Sequence, residues 1–247
     1  MITRSAIIGL GLLLLACGAD APRISGPDGS RLVLLSSHSL AIEEPSGLAL
    51  DASRTSLWTV GNHPQRIHRL SLDGRRQSTL DYKGDDMEGI ACDPTDGTLW
   101  IVEEAQREVV HLSTGGRVLS RHQLELSGEA NSGLEGICLD AEGAVYVLNE
   151  KRPGLFISLN TDLSIKSQQL LGFAQDYSSL DCDRSRDAFW VLSDQSQALY
   201  LWSPQGGVLG GYALPYSKAE GSAVDAAAGR IYIVSESGHM LYVYRID

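Results

Sequence analysis

Five short segments of this 247-residue chain open on an oxygen-bearing side chain: Ser46, Glu88, Glu135, Ser178 and Glu220. Each runs through small and apolar residues to an aspartate, at Asp51, Asp93, Asp140, Asp183 and Asp225, so the steps are 42, 47, 43 and 42 residues. Three carboxylates gathered around one axis repel each other unless their pKa values rise or a cation neutralises them. Oxygen-only ligands match a hard ion, and a flexible set of about six to eight oxygens favours Ca²⁺ over Mg²⁺. A single Glu-Gly step reads as the turn entering a strand. At three of five equivalent positions, with Ser at the other two, the pattern predicts a calcium site held by Ser46, Glu88, Glu135, Ser178 and Glu220.

A second set lies farther along each segment: Asn62, Glu104, Glu150, Asp194 and Glu236. Singly each is an ordinary polar residue after a buried strand. Together they form a second acidic ring that orients ligands or waters and focuses the field on cations. Glu104 and Glu150 are the candidates for activating a water beside the metal. Lys83, Arg107, Lys151, Arg152 and Lys218, with His63, fall in connections on the same face and are candidates for gripping an anionic substrate. No G-x-S-x-G, H-E-x-x-H or cysteine-rich zinc spacing occurs, which disfavours nucleophilic serine and zinc chemistry.

The elements that must position these residues repeat with them. A second β run follows each aspartate: Leu57–Val60, Leu99–Val102, Val145–Leu148, Phe189–Leu192 and Ile231–Val234. A third run follows every time and a fourth, more polar one follows in the first four units. Four short strands repeated every 42–47 residues predict an all-β, five-bladed β-propeller over residues 31–247. The fifth unit ends after three strands, and the segment at about 31–42 supplies the fourth, closing the ring and removing two free edges. No stretch is left for a sixth blade. On the first strands one face is small (Gly47, Gly89, Gly136, Gly221) and the other larger (Leu48, Ile90, Ile137, Leu180), as tightly converging strands require; Asp181 departs from this pattern.

Residues 1–16 read as an export signal, with Arg4 before a short apolar run too short to span a bilayer comfortably. It ends in Leu14-Leu15-Ala16-Cys17-Gly18, a lipobox, so Cys17 is expected to be lipidated and residues 17–30 to form the lipidated cysteine and a flexible tether. The segment resembles the lipoboxes of Gram-negative lipoproteins, and Gly18 rather than Asp after the cysteine implies by that resemblance an outer-membrane location facing the periplasm, held by the lipid anchor alone. The chain carries 20 Lys+Arg against 31 Asp+Glu, a net charge of −11 that argues against nucleic-acid binding. Loss of Arg4 would take it to −12. Cys92, Cys138 and Cys182 remain, and buried thiols are expected rather than a disulfide.

The repeated segments Asp86-Met87-Glu88-Gly89-Ile90 and Gly133-Leu134-Glu135-Gly136-Ile137, with Tyr146-Val147-Leu148-Asn149-Glu150, resemble the SdiA-regulated (YjiK-like) family of bacterial envelope β-propellers. That resemblance implies the propeller and an envelope location without implying a reaction. The Ser, Glu, Glu, Ser, Glu order is similar to the calcium site of the calcium-activated apyrases, five-bladed nucleotidases, which implies Ca²⁺ on the five residues already named. Two functions follow: a calcium-binding module for a small molecule or an envelope protein, or a calcium-dependent hydrolase, phosphoesterase or nucleotidase-like before lactonase.

Overall fold

The computed structural model describes residues 24–127 and 132–247. Cys17 and most of the tether lie outside them. Five four-stranded antiparallel sheets are arranged as a five-bladed β-propeller. The first strand, β1 (Leu32–Ser39), is set aside to close the ring. Blade 1 is β2 (Glu43–Leu50), β3 (Ser56–His63), β4 (Gln65–Ser71) and β5 (Arg76–Thr79). Blade 2 is β6 (Met87–Cys92), β7 (Leu99–Glu103), β8 (Glu108–Leu112) and β9 (Val118–Gln123). Blade 3 is β10 (Leu134–Leu139), β11 (Val145–Asn149), β12 (Leu155–Leu159) and β13 (Ile165–Leu170). Blade 4 is β14 (Ser179–Asp183), β15 (Ala188–Ser193), β16 (Ala198–Ser203) and β17 (Gly207–Ala213). In blade 5, β18 (Ala219–Asp225), β19 (Arg230–Ser235) and β20 (Met240–Ile246) are completed by β1, which pairs with β20 from Leu32 opposite Ile246 to Ser39 opposite Met240.

The repeated aspartates are the local reason each blade folds. Asp51 Oδ1 accepts the amides of Thr55 and Ser56, and Asp140 Oδ1 those of Glu142 and Ala144. Asp93, Asp183 and Asp225 accept those of Thr95, Ser185 and Ala228. Each side chain thus caps the turn from the first strand to the second, which is what a short acceptor does at a hairpin.

The apolar core is divided by the seams. Trp58, Val60 and Ile67 of blade 1 pack with Ile90, Leu99 and Ile101 of blade 2. Similar clusters fill the seams of blades 2 and 3, 3 and 4, 4 and 5, and 5 and 1. At the axis the small face of each first strand meets the next blade. A Cβ on Gly47 would lie 2.5 Å from the Glu88 carbonyl, and one on Gly89 would lie 2.5 Å from that of Glu135. Glycine is therefore required there by close approach.

This facing arrangement corrects the expectation for the cysteines: Cys138 and Cys182 form a disulfide, with Cα atoms 5.8 Å apart. Cys138 is on the small face of β10 and Cys182 on the opposite face of β14, so the third seam places them against each other. Cys92 occupies the position equivalent to Cys182, but the strand before it offers Ala49, and it stays a buried free thiol. The same logic explains Asp181. Across the fourth seam its Oδ2 accepts the Val224 amide at 2.6 Å, and Ser179 Oγ accepts the Ser222 amide at 3.1 Å. Blade 4 bridges this seam with side-chain acceptors where the other blades use close contact. Of the tether, residues 24–30 are described: the Ser25 carbonyl accepts the Gly211 amide, and Ser30 Oγ is 2.7 Å from Tyr212 Oη.

A candidate metal centre at one mouth of the channel

The ring residues are aimed by backbone irregularity. In blades 2, 3 and 5 the register between first and second strands shifts between Met87 and Gly89, Leu134 and Gly136, and Ala219 and Gly221. Glu88, Glu135 and Glu220 are the extra residues of these bulges. A bulge leaves one residue without a ladder partner and re-aims its side chain, here toward the axis. Just upstream, Glu44, Asp86 and Lys218 hold positive φ angles of 47°, 60° and 58°. Left-handed backbone at a non-glycine residue is costly and collects at functional sites. The residue before each second-ring position in blades 2–5 ties a loop of the mouth down, the incoming loop in blades 2, 4 and 5 and the connection leaving β11 in blade 3. Glu103 accepts from Tyr82 Oη at 2.6 Å, Asn149 Nδ2 donates to the Pro153 carbonyl, Ser193 Oγ donates to Asp176, and Ser235 Oγ donates to the Ser217 carbonyl.

All ten ring residues line one cavity of about 440 Å³: Ser46, Glu88, Glu135, Ser178 and Glu220, with Asn62, Glu104, Glu150, Asp194 and Glu236. Within it the acids are not spread evenly around the axis. Carboxylate oxygens of Asp86, Glu88 and Glu104 lie within 4.8 Å of one another, and so do those of Glu104, Glu135 and Glu150. Glu104, read from sequence as an outer residue, belongs to both groups. Glu88 is held by Ser46 Oγ at 2.6 Å and Asn62 Nδ2 at 2.9 Å. Ser178 Oγ donates to the Ala219 carbonyl, and Glu104 Oε1 accepts the Gly133 amide at 3.0 Å.

Burial dominates the electrostatics. It pushes Glu88 up to about 7, against the hydrogen bonds from Ser46 and Asn62 and with help from Asp86 and Glu104. It pushes Glu220 up to about 8, with Asp194 adding to the effect. Glu135 is raised well above the usual carboxylate range by burial and then by Glu88, Glu104, Glu150 and Glu220. Glu104 is raised by burial as well. Asn62 Oδ1 is buried with no hydrogen-bond partner. A buried acceptor left unpaired among carboxylates that resist ionisation is the environment a hard cation relieves: it takes the orphan oxygen as a ligand and lowers the acids at once. The residues present fit such an ion.

The basic candidates are placed differently from one another. Lys151 and Lys218 line the cavity, but Lys151 Nζ is paired with Glu150 and Lys218 Nζ lies 3.1 Å from Glu236. Arg152 lines a neighbouring cavity, Arg107 donates to the Leu126 carbonyl, and neither Arg107 nor Lys83 lines the acidic one. His63 Nδ1 pairs with Glu44. Sequence reading missed Glu44, Asp86, Asp176 and Gln195, which also line the site or its acid groups. Equivalent positions two before the ring hold Glu44, Asp86, Gly133, Asp176 and Lys218, so no shared residue type marks them.

The architecture is shared with solved structures. The chain is similar to glutaminyl cyclase from Myxococcus xanthus, at 15% identity and a TM-score of 0.69, covering 88% of this chain and 97% of that one. It is also similar to XC5397 from Xanthomonas campestris, a gluconolactonase, at 15% identity and a TM-score of 0.59, covering 93% and 96%. Virginiamycin B lyase from Staphylococcus aureus matches at 16% identity and a TM-score of 0.50, covering 86% and 73%. These likenesses are of fold. The family match is of sequence: it runs over residues 33–245, from the closing strand to the end of β20, and the chain belongs to the SdiA-regulated family.

Proposed function

We propose that this protein is an exported, lipid-anchored β-propeller that holds Ca²⁺ at the acidic mouth of its channel and recognises a ligand or envelope partner there. The observation that carries the reading is the convergence of both polar rings on one cavity, with two carboxylate groups in ligand range and an unpartnered Asn62 oxygen beside them. Calcium suits the oxygen-only donor set and its lack of octahedral regularity. Glu88, Glu104, Glu135 and Glu150 with Asn62 and Ser46 are the ligands this geometry favours, and Glu220 stands across the axis. The test is thermal unfolding of the mature chain, carrying Cys17→Ser for solubility, in EDTA, Ca²⁺ and Mg²⁺. A site filled at a hundredfold its Kd adds about 2.7 kcal/mol. Selective stabilisation by Ca²⁺ is expected, and identical melting in all three would defeat the reading. The anchor is tested separately: native protein should fractionate with membranes and Cys17→Ser should not.

A second reading, calcium-dependent hydrolysis, is favoured by Glu104. Its carboxylate sits in both acid groups, has a raised pKa and is oriented by the Gly133 amide, as a base activating water would need. Screening the calcium form against phosphomonoesters, nucleotides and lactones separates the two functions. Turnover lost in Glu104→Gln even at calcium concentrations that saturate the variant supports hydrolysis; no turnover on any class leaves the binding module.

A further inference from the structure

A second cavity, of about 500 Å³, lies beside the acidic mouth and has the opposite character. It is lined by Arg66, Arg76, His63, His68 and Thr79, with Glu43 as its acid and Ala41, Ile42 and Pro64 as its apolar part. The two cavities share a wall. Glu44 and Asn62 line the acidic one, their chain neighbours Glu43 and His63 line the other, and the Glu44–His63 pair closes the wall between them. In a chain of net charge −11 almost any basic group can find a carboxylate. Yet among the described residues neither Arg66 nor Arg76 makes an ion pair. Arg66 Nη1 donates only to the Gln65 carbonyl and Arg76 Nη1 to that of Ala41, at 3.0 and 3.3 Å. Both guanidinium groups retain donors for something else.

His68 shows that the field of both arginines is felt in the pocket. It is 4% exposed, and its Nδ1 lies 2.9 Å from Thr79 Oγ1, its cross-strand partner. Burial, then Arg76 and Arg66, push it down to about 4, so the imidazole is neutral at physiological pH. Two forked cations and a neutral, hydrogen-bonded imidazole around a cavity are the equipment for a compact oxyanion, since an arginine fork matches two oxygens of a phosphate or carboxylate.

We propose that this cavity binds the phosphate or carboxylate group of a small anionic ligand between Arg66 and Arg76, next to but independent of the metal mouth. The sequence-derived anion candidates Lys151 and Lys218 are neutralised by their own glutamates, whereas this pair is not. Arg66 and Arg76 occupy no repeated position, so the repeat could not mark them.

The probe is inorganic phosphate, with acetate as the carboxylate arm and chloride at equal ionic strength as the control. All are titrated into the mature protein in EDTA, followed by melting temperature and by the His68 ring signals in NMR. Saturable stabilisation with a concerted shift at His68 is expected from phosphate or acetate, and the stronger of the two names the group. Arg66→Gln and Arg76→Gln should each weaken binding about tenfold, Arg117→Gln on blade 2 should leave it unchanged, and Glu43→Gln should tighten it. Both arginines are at least partly exposed, so these variants are expected to fold. Absence of saturable binding, or binding indifferent to both arginines, overturns the inference. Phosphate that binds only when Ca²⁺ is present also overturns it, because the anion would then sit on the metal. Binding in EDTA without any calcium response would leave this site standing and remove the metal reading.

Discussion

Glu135→Gln separates charge repulsion from structure at the acidic mouth. Glu135 is 9% exposed and shares a 4.8 Å group with Glu104 and Glu150. Two full charges at that distance cost about 3.5 kcal/mol at an effective dielectric constant of 20. Glu135 is raised well above the usual carboxylate range, so without metal it either holds a proton that it would release on unfolding or bears the repulsion, and both cost stability. The amide removes that cost. In EDTA at pH 8 the variant should therefore be more stable than wild type, by no more than the about 3.5 kcal/mol of that repulsion, which is at most roughly 7–14 °C in Tm for a domain of this size. With Ca²⁺ at a hundredfold the wild-type Kd that advantage should shrink or disappear. Wild type gains about 2.7 kcal/mol, or roughly 5–11 °C, while a variant weakened tenfold or more loses about 1.4 kcal/mol of that gain. Differential scanning fluorimetry or calorimetry reads both arms. A variant less stable than wild type in EDTA, or one with an undiminished calcium shift, would refute the reasoning.

Other perturbations reach the same account from other sides. Glu88 and Glu220 are raised to about 7 and about 8, above their unfolded value of 4.5. Their contribution is fully present below 4.5 and is lost as pH rises from there to about 7 and 8, so metal-free protein should weaken from pH 4.5 to 8 and level off above, while calcium affinity increases because binding has fewer protons to displace; affinity flat from pH 5.5 to 8.5 would contradict this. His68 acts oppositely: lowered to about 4 from 6.5, it should cost stability as pH falls between those values, and His68→Gln should flatten that limb. Reducing the Cys138–Cys182 bridge, which spans 44 residues, should cost up to about 4 kcal/mol by loop-closure entropy, and peptide mapping without reductant should recover the linked pair with Cys92 free. Asp181→Ala strands the Val224 amide in the fourth seam and should cost about 1–3 kcal/mol, whereas Asp181→Asn, which keeps an acceptor, should cost less.

What the sequence disclosed is what the fold repeats. The blades, the closure by β1 and the ten ring residues occupy the same place in every unit, so spacing alone aligned them. Features that depend on two neighbouring blades being unlike were hidden. Cys138 meets Cys182 because the small face of one first strand meets the larger face of the next, a relation visible only once the strands are stacked. Asp181 reads as a defect within its own strand and becomes a cross-seam acceptor beside Val224. The clustering of acids around Glu104 comes from the left-handed backbone at Asp86 and from side-chain reach, neither of which a ring drawn from register contains. Arg66 and Arg76 escape notice because their meeting place is made by β4, β5 and the loop before β2 together.

The central claim is a calcium ion held by the clustered acids, and calorimetric titration of the EDTA-stripped mature protein tests it most directly. One Ca²⁺ per chain, with proton release that falls between pH 6 and 8 as Glu88 and Glu220 ionise on their own, binding weakened at least about tenfold in Asn62→Ala and in Glu104→Gln, and Mg²⁺ unable to compete at equal concentration, is the result the account predicts. No heat of binding, or binding that survives both substitutions unchanged, would contradict it.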